Sequence, residues 1–231
     1  MRENRRIGRG NRYGLLLVSL IAVYLVSALT TGRLGQALQV ILVVVVTLIA
    51  LRNAPLSPRA AMVARLVTLL GSAAAAVLAT VFDNDDVRGA ASIWTGVLLL
   101  LTVTILVRQV LLLDTVTIQS IYGALSAYLL IGLMFASFFG AIGDLSAGDF
   151  FVNGQPANLR TFQYFSFTTL TTLGYGDFTA ASNFGRAVAV LEALTGQIFL
   201  ATLVARLVSA YRAPQRPDPP TGASSGSGEA E

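Results

Sequence analysis

Six long runs of apolar residues, at approximately 13–30, 36–51, 60–82, 89–112, 117–142 and 184–211, fill most of this 231-residue chain. A helix needs ~20 mostly apolar residues to cross the hydrocarbon core of a bilayer. Inside that layer every backbone N–H and C=O must find its partner within the protein, which selects helices. The condition overrides local preference in the second run, whose Val- and Ile-rich sequence would favour a strand in water. Composition agrees: 12% of residues are charged and the mean hydropathy is +0.70, whereas soluble domains carry about 25% charge. The chain reads as an all-α integral membrane protein.

Charge placement sets the expected topology. Cysteine and histidine are absent, which excludes disulfides, Cys/His metal sites and imidazole catalysis. The 16 basic residues are all arginine and the net charge is +4. They cluster at the ends of the apolar runs, so they indicate membrane orientation and not a nucleic-acid partner. Arg2, Arg5, Arg6, Arg9 and Arg12 precede the first run, which lacks a small-residue cleavage site and reads as a retained helix. With Arg52, Arg59, Arg108, Arg206, Arg212 and Arg216 they favour one side. Arg33, Arg88, Arg160 and Arg186 fall on the other. A multi-pass protein of the cell membrane with both termini cytoplasmic is expected. Pro55 and Pro58 separate the second run from the third, and the acidic turn 83–86 is expected to end the third.

About forty residues between the fifth and sixth runs do not span. Asn153-Gly154 marks a turn, and Asn158 is a candidate N-cap for a short helix at 159–171. That helix is too short to cross. Irregular backbone at membrane depth is tolerated where it is buried in protein or lines a water-filled cavity, so the segment reads as re-entrant. It leads directly into Thr171-Thr172-Leu173-Gly174-Tyr175-Gly176-Asp177. A lone Gly-x-Gly is usually a turn. Between a Thr-rich helix and a long apolar run it suits another task. A dehydrated cation needs a ring of oxygens, and backbone carbonyls supply one if consecutive residues alternate in hand. Glycine reaches φ > 0 without penalty.

Residues 115–211 resemble the pore module of the potassium channels, especially the small prokaryotic ones. The family's filter pattern is Thr-Val-Gly-Tyr-Gly, and Leu173 in place of Val is the departure here. The resemblance implies a selectivity filter whose Thr172, Leu173, Gly174, Tyr175 and Gly176 bind the permeating ion, with K+ at Thr172, Leu173, Gly174 and Tyr175. It implies support from Thr171, Asp177, Tyr164 and Thr168, including a hydrogen bond between Asp177 and Tyr164. Some members carry Glu where Thr168 stands. Tyr175 is expected to brace against Tyr164, Phe165 and Phe167. One chain carries one filter strand and a ring needs four, so a C4 homotetramer in the lipid bilayer is expected, with K+ as permeant ion and no cofactor. Gly196 stands where members carry an inner-helix glycine, read either as a hinge or as a packing site. Gln197, Ala201, Val204 and Val208 share a helical face expected to line the cavity and gate.

Glu192 is the one acid inside a spanning run, and buried charge in a membrane is costly. It is read as a protonated structural group hydrogen-bonded to Ser166 or a nearby Thr. The first four runs pose a further question. A voltage sensor repeats Arg or Lys every third residue of its fourth helix. The stretch 93–113 contains Arg108 alone, so a scaffold with at most weak voltage dependence is expected. The organisation expected is a basic cytoplasmic segment 1–12, a four-helix scaffold 13–113, a pore domain 114–212 (outer helix 117–142, pore helix 159–171, filter 172–177, inner helix 184–211) and a disordered tail 213–231. The function expected is passive, potassium-selective conduction and no enzyme activity. The alternatives are a poorly selective cation channel, which usually loses the Tyr or a Gly, and a non-conducting membrane subunit.

Overall fold

The computed structural model describes residues 12–29, 33–53, 57–82, 84–111 and 117–210. The segments 1–11 and 211–231 lie outside the described residues, as does Pro55, so the readings placed on them are not addressed. Seven α-helices appear among the described residues: α1 (Arg12–Leu29), α2 (Arg33–Asn53), α3 (Pro58–Val81), α4 (Asp85–Leu111), α5 (Ile118–Leu145), α6 (Leu159–Leu170) and α7 (Asn183–Ala210). By length and composition, four stretches are able to cross a membrane: Pro58–Leu78, Asp85–Val110, Ile118–Leu145 and Asn183–Ser209. A shorter apolar helical stretch covers Val40–Arg52.

Local signals explain most boundaries. Ser57 caps α3 by accepting from the Ala60 N–H, and Pro58 takes the first helical position, where its missing N–H costs nothing. Thr117 and Ser120 form a reciprocal capping box at the start of α5. The acidic turn corrects one expectation. Asp85 and Asp86 do not end α3; they form the first turn of α4, where the partial positive charge of a helix N-terminus favours carboxylates. Asn84 caps that turn by accepting from the Asp86 N–H at 2.9 Å. α4 therefore starts earlier than position 93 and contains Arg88 as well as Arg108. Arg88 pairs with Asp85 and lies 3.7 Å from Asp144 of α5. That is an end-of-helix ion pair, not the start of a charge array.

α5 is the keel. It packs against α4 most extensively and also against α1, α6 and α7. Of its most apolar window, 67% is buried within the chain, against 11% for α3 and for α7. Small residues let its neighbours approach. A Cβ on Gly96 of α4 would lie 2.6 Å from the Phe138 ring of α5, and one on Gly132 of α5 would lie 2.7 Å from the Phe167 ring of α6. Polar contacts add less. The buried Thr47 and Thr102 hydroxyls meet at 2.8 Å between α2 and α4, and such bonds in membrane proteins average only about 0.6 kcal/mol. Thr47→Val is therefore expected to lower stability by well under 1 kcal/mol. Gly96→Ala forces a ring aside in the largest seam and is expected to cost about 1–3 kcal/mol. Chemical unfolding of the detergent-solubilised protein checks the order; equal costs would contradict packing as the main cohesive term.

Candidate functional site

The segment that joins α5 to α7 folds back on itself. A 3₁₀ turn, Val152–Gly154, stands at the expected Asn153-Gly154 position, with Gly154 at φ +63°. Phe151 bridges antiparallel to Ala180, with the Val152 N–H donating to Thr179 O at 3.0 Å and the Ala181 N–H to Phe150 O at 2.8 Å. Phe139, Phe150, Phe151, Phe162 and Phe165 pack beneath this bridge, with ring centroids such as Phe139–Phe165 4.9 Å apart. Asn158 caps α6 as predicted, accepting from the Arg160 and Thr161 N–H groups at 3.1 and 3.2 Å.

α6 stops at Leu170 and the chain changes hand. Thr171 is still right-handed, at φ −81°. Thr172, Gly174 and Gly176 then take φ of +58°, +49° and +80°. Left-handed residues thus recur at every second position. For the two glycines this is free. For Thr172, a β-branched residue, it is strain of order 1–3 kcal/mol. The Thr172 N–H donates to Thr169 O at 2.9 Å and the Gly174 N–H to Thr168 O at 3.1 Å, which hold the entry to the segment against the end of α6. A Cβ on Gly174 or Gly176 would meet nothing within 4 Å, so conformation and not space requires glycine within this chain. Residues 171–177 are all exposed, Tyr175 at 68%.

The segment's far end is anchored twice. The Tyr164 hydroxyl donates to Asp177 Oδ2 at 2.8 Å, as expected from the sequence. That bond pushes the Tyr164 phenol above its ordinary pKa, because losing the proton would set two anions side by side. Gln155 Nε2 donates to the Asp177 carbonyl at 2.6 Å. Sequence reasoning missed Gln155, which carries no local signal beyond preceding Pro156. Thr168 supports the segment through its carbonyl; its hydroxyl turns back to Phe165 O at 3.0 Å. Thr171 likewise bonds Phe167 O.

The expected aromatic brace divides. Tyr164 stands beside the segment, but Phe165 is buried among Phe139, Phe150 and Phe151, and Phe167 packs edge-on against Tyr24 of α1 at 4.8 Å. The Phe167 ring is seated in the recess that Gly132 leaves on α5, and Phe165 belongs to the aromatic cluster under the bridge. Gly196 is a packing site: a Cβ would lie 2.4 Å from Leu170 O, and α7 runs unbroken through it. Tyr128, also missed, donates to that same carbonyl at 3.1 Å. Gln197 Nε2 reaches Thr172 Oγ1 at 3.4 Å. Ala201, Val204 and Val208 continue the Gln197 stripe down α7, all exposed. Glu192 is fully buried and bonded to Ser166, one of the partners proposed for it.

Residues 124–213 match a family model described as "Ion channel", a match that covers under half of the chain and takes in most of α5, α6 and α7. Over those residues the chain is similar to ion channels. The match and the apolar helices together support a membrane-embedded ion channel. No curated protein and no solved structure matches the chain.

A double-mutant cycle of Tyr164→Phe and Asp177→Asn, read by thermal unfolding, should give non-additive effects, with the second substitution costing less once the first has removed the bond. Additive effects would mean that the contact does not anchor the segment.

Proposed function

We propose that this protein conducts potassium ions passively across a membrane, as a homotetramer in which residues 172–176 of four chains form the selectivity filter. The observation that carries the reading is the alternation of hand at Thr172, Gly174 and Gly176. A backbone of that kind turns successive carbonyls to one side, and four such strands around an axis offer stacked rings of oxygens in place of a cation's hydration shell. K+ would lie at Thr172, Leu173, Gly174 and Tyr175. α6 is then the pore helix, with its partially negative C-terminus aimed where a cation enters or leaves the filter. α5 is the outer helix and α7 the inner one, with Gln197, Ala201, Val204 and Val208 toward the cavity. The exposure of residues 171–177 and the small buried share of α7 support a missing set of neighbours.

The six apolar runs and the arginine distribution support six spans with both termini cytoplasmic. In α4 the basic residues are Arg88 and Arg108 alone, so α1–α4 act as scaffold, not as a voltage sensor. The chemistry is transport without bond making, and no enzyme activity is proposed.

Bilayer recording of the reconstituted protein in a potassium/sodium gradient over a voltage ramp tests this. The expected result is a reversal potential close to that of potassium, block by barium, and an open probability nearly independent of voltage. Gly176→Ala should abolish selective current while tetramers persist by crosslinking. Equal permeation of sodium and potassium would overturn potassium selectivity, and a monomer would overturn the filter.

A further inference from the structure

We infer that Glu192 is a positioning residue for the short helix α6, acting as a neutral carboxylic acid that donates its proton to Ser166. Two observations lead there. Ser166 Oγ lies 2.7 Å from the Gly132 carbonyl oxygen and 2.5 Å from Glu192 Oε1, and both Ser166 and Glu192 are completely buried. A hydroxyl has one hydrogen to give. A carbonyl and an ionised carboxylate are both acceptors only, so an ionised Glu192 would set two acceptors competing for that single hydrogen. A protonated Glu192 resolves it: the acid donates to Ser166 Oγ, and Ser166 donates to Gly132 O. The second observation is the other carboxyl oxygen. Glu192 Oε2 is buried and accepts no hydrogen bond, and among the described residues no basic side chain pairs with the acid. A bare anionic oxygen in an apolar interior is far costlier than a bare neutral one.

The relay is one of two rungs. Gly132 and Tyr128 are four residues apart on α5, Ser166 and Leu170 four apart on α6, and Glu192 and Gly196 four apart on α7. One helical turn therefore separates the junction at Ser166 from a second junction at Leu170. There the Tyr128 hydroxyl donates to the Leu170 carbonyl, and Gly196 lets α7 close onto the same oxygen. Thr168, whose carbonyl receives the Gly174 N–H, sits between the rungs. The two junctions fix α6 against both long helices, so a change in α7 reaches the 171–177 segment through α6. This extends the proposed conduction function and rests on it where currents are the readout.

Infrared spectroscopy of the reconstituted protein at neutral pH tests the proton without reference to conduction. Native minus E192Q spectra should show a protonated carboxyl C=O band that shifts in D2O; absence of that band overturns the assignment. Currents test the positioning role. E192Q, whose amide still donates to Ser166, should keep the native potassium/sodium permeability ratio. E192L should lower it about tenfold, the consequence of losing one buried hydrogen bond next to the filter. S166A, which leaves Glu192 in place, should lower it similarly and stands in if E192L does not assemble. Native-like selectivity in E192L or S166A, or equal loss in E192Q and E192L, overturns the role. Absence of potassium current in the native protein would defeat the conduction reading, while the infrared band would still decide the proton.

Discussion

A backbone that alternates in hand cannot hold its own shape. Residues 172–176 make none of the repeating hydrogen bonds that stabilise a helix or a sheet, and Thr172 sits at φ +58° against the preference of a β-branched residue. The conformation persists because its surroundings over-determine it. The magnitudes are compatible. Strain of order 1–3 kcal/mol is offset in part by two backbone bonds worth about 0.5–1.5 kcal/mol each, Thr172 N–H to Thr169 O and Gly174 N–H to Thr168 O, while the Tyr164 and Gln155 bonds to Asp177 tether the far end. The Phe151–Ala180 bridge closes the outer end over an aromatic core. Each tie reaches back to α6 or to the loop before it, so the position of α6 is what the whole site inherits.

α6 in turn is placed by α5. That helix meets α4 through Gly96 and α6 through Gly132, recesses for one aromatic ring each. α1 joins the same assembly, since Tyr24 lies edge-on to Phe167, the ring seated on Gly132. The four helices before α5 are thus not appended to an independent unit. α1 and α4 pack directly on α5, Tyr24 of α1 also meets Phe167 of α6, and α2 and α3 pack against α4 and each other. On the proposed reading these helices hold α6 in place through α1 and α5, without any charge array of their own.

What was legible in the sequence was what local chemistry decides. That the apolar runs form helices followed from the requirement that lipid leaves no backbone group unpaired. The Asn158 cap and the glycine positions followed from rules that need only a few neighbouring residues. The Tyr164–Asp177 bond was anticipated from the resemblance to potassium channels, and the Glu192–Ser166 contact because a lone acid in an apolar run needs a polar partner. The failures were of direction. Aromatic residues occur on several sides of this twelve-residue helix, so nothing in 159–170 said that Phe165 and Phe167 turn to the chain's own core and outer helices while Tyr164 turns to the segment. The acids at 85 and 86 suit a chain break or a helix start equally, and only the Asn84 cap chose. Gln155 and Tyr128 act on carbonyls 22 and 42 residues away, a separation at which a single sequence carries no signal.

The site also constrains its own assembly. Residues 171–177 are exposed in one chain, with backbone polar groups unprotected by regular structure. At membrane depth such groups cost several kcal/mol each unless protein, water or ions satisfy them. Lipid cannot do so. On the proposed reading the partners are copies of the same strand with water and cations between them, and a head-to-tail arrangement that closes on itself is a ring. α7 fits that demand. Its apolar surface is scarcely used within the chain, and the stripe at Gln197, Ala201, Val204 and Val208 begins with a polar residue in contact with Thr172 and continues with small and branched apolar ones. On the proposed reading a stripe of that composition suits the wall of a wet vestibule below the filter, with the rest of the helix facing neighbouring chains and lipid.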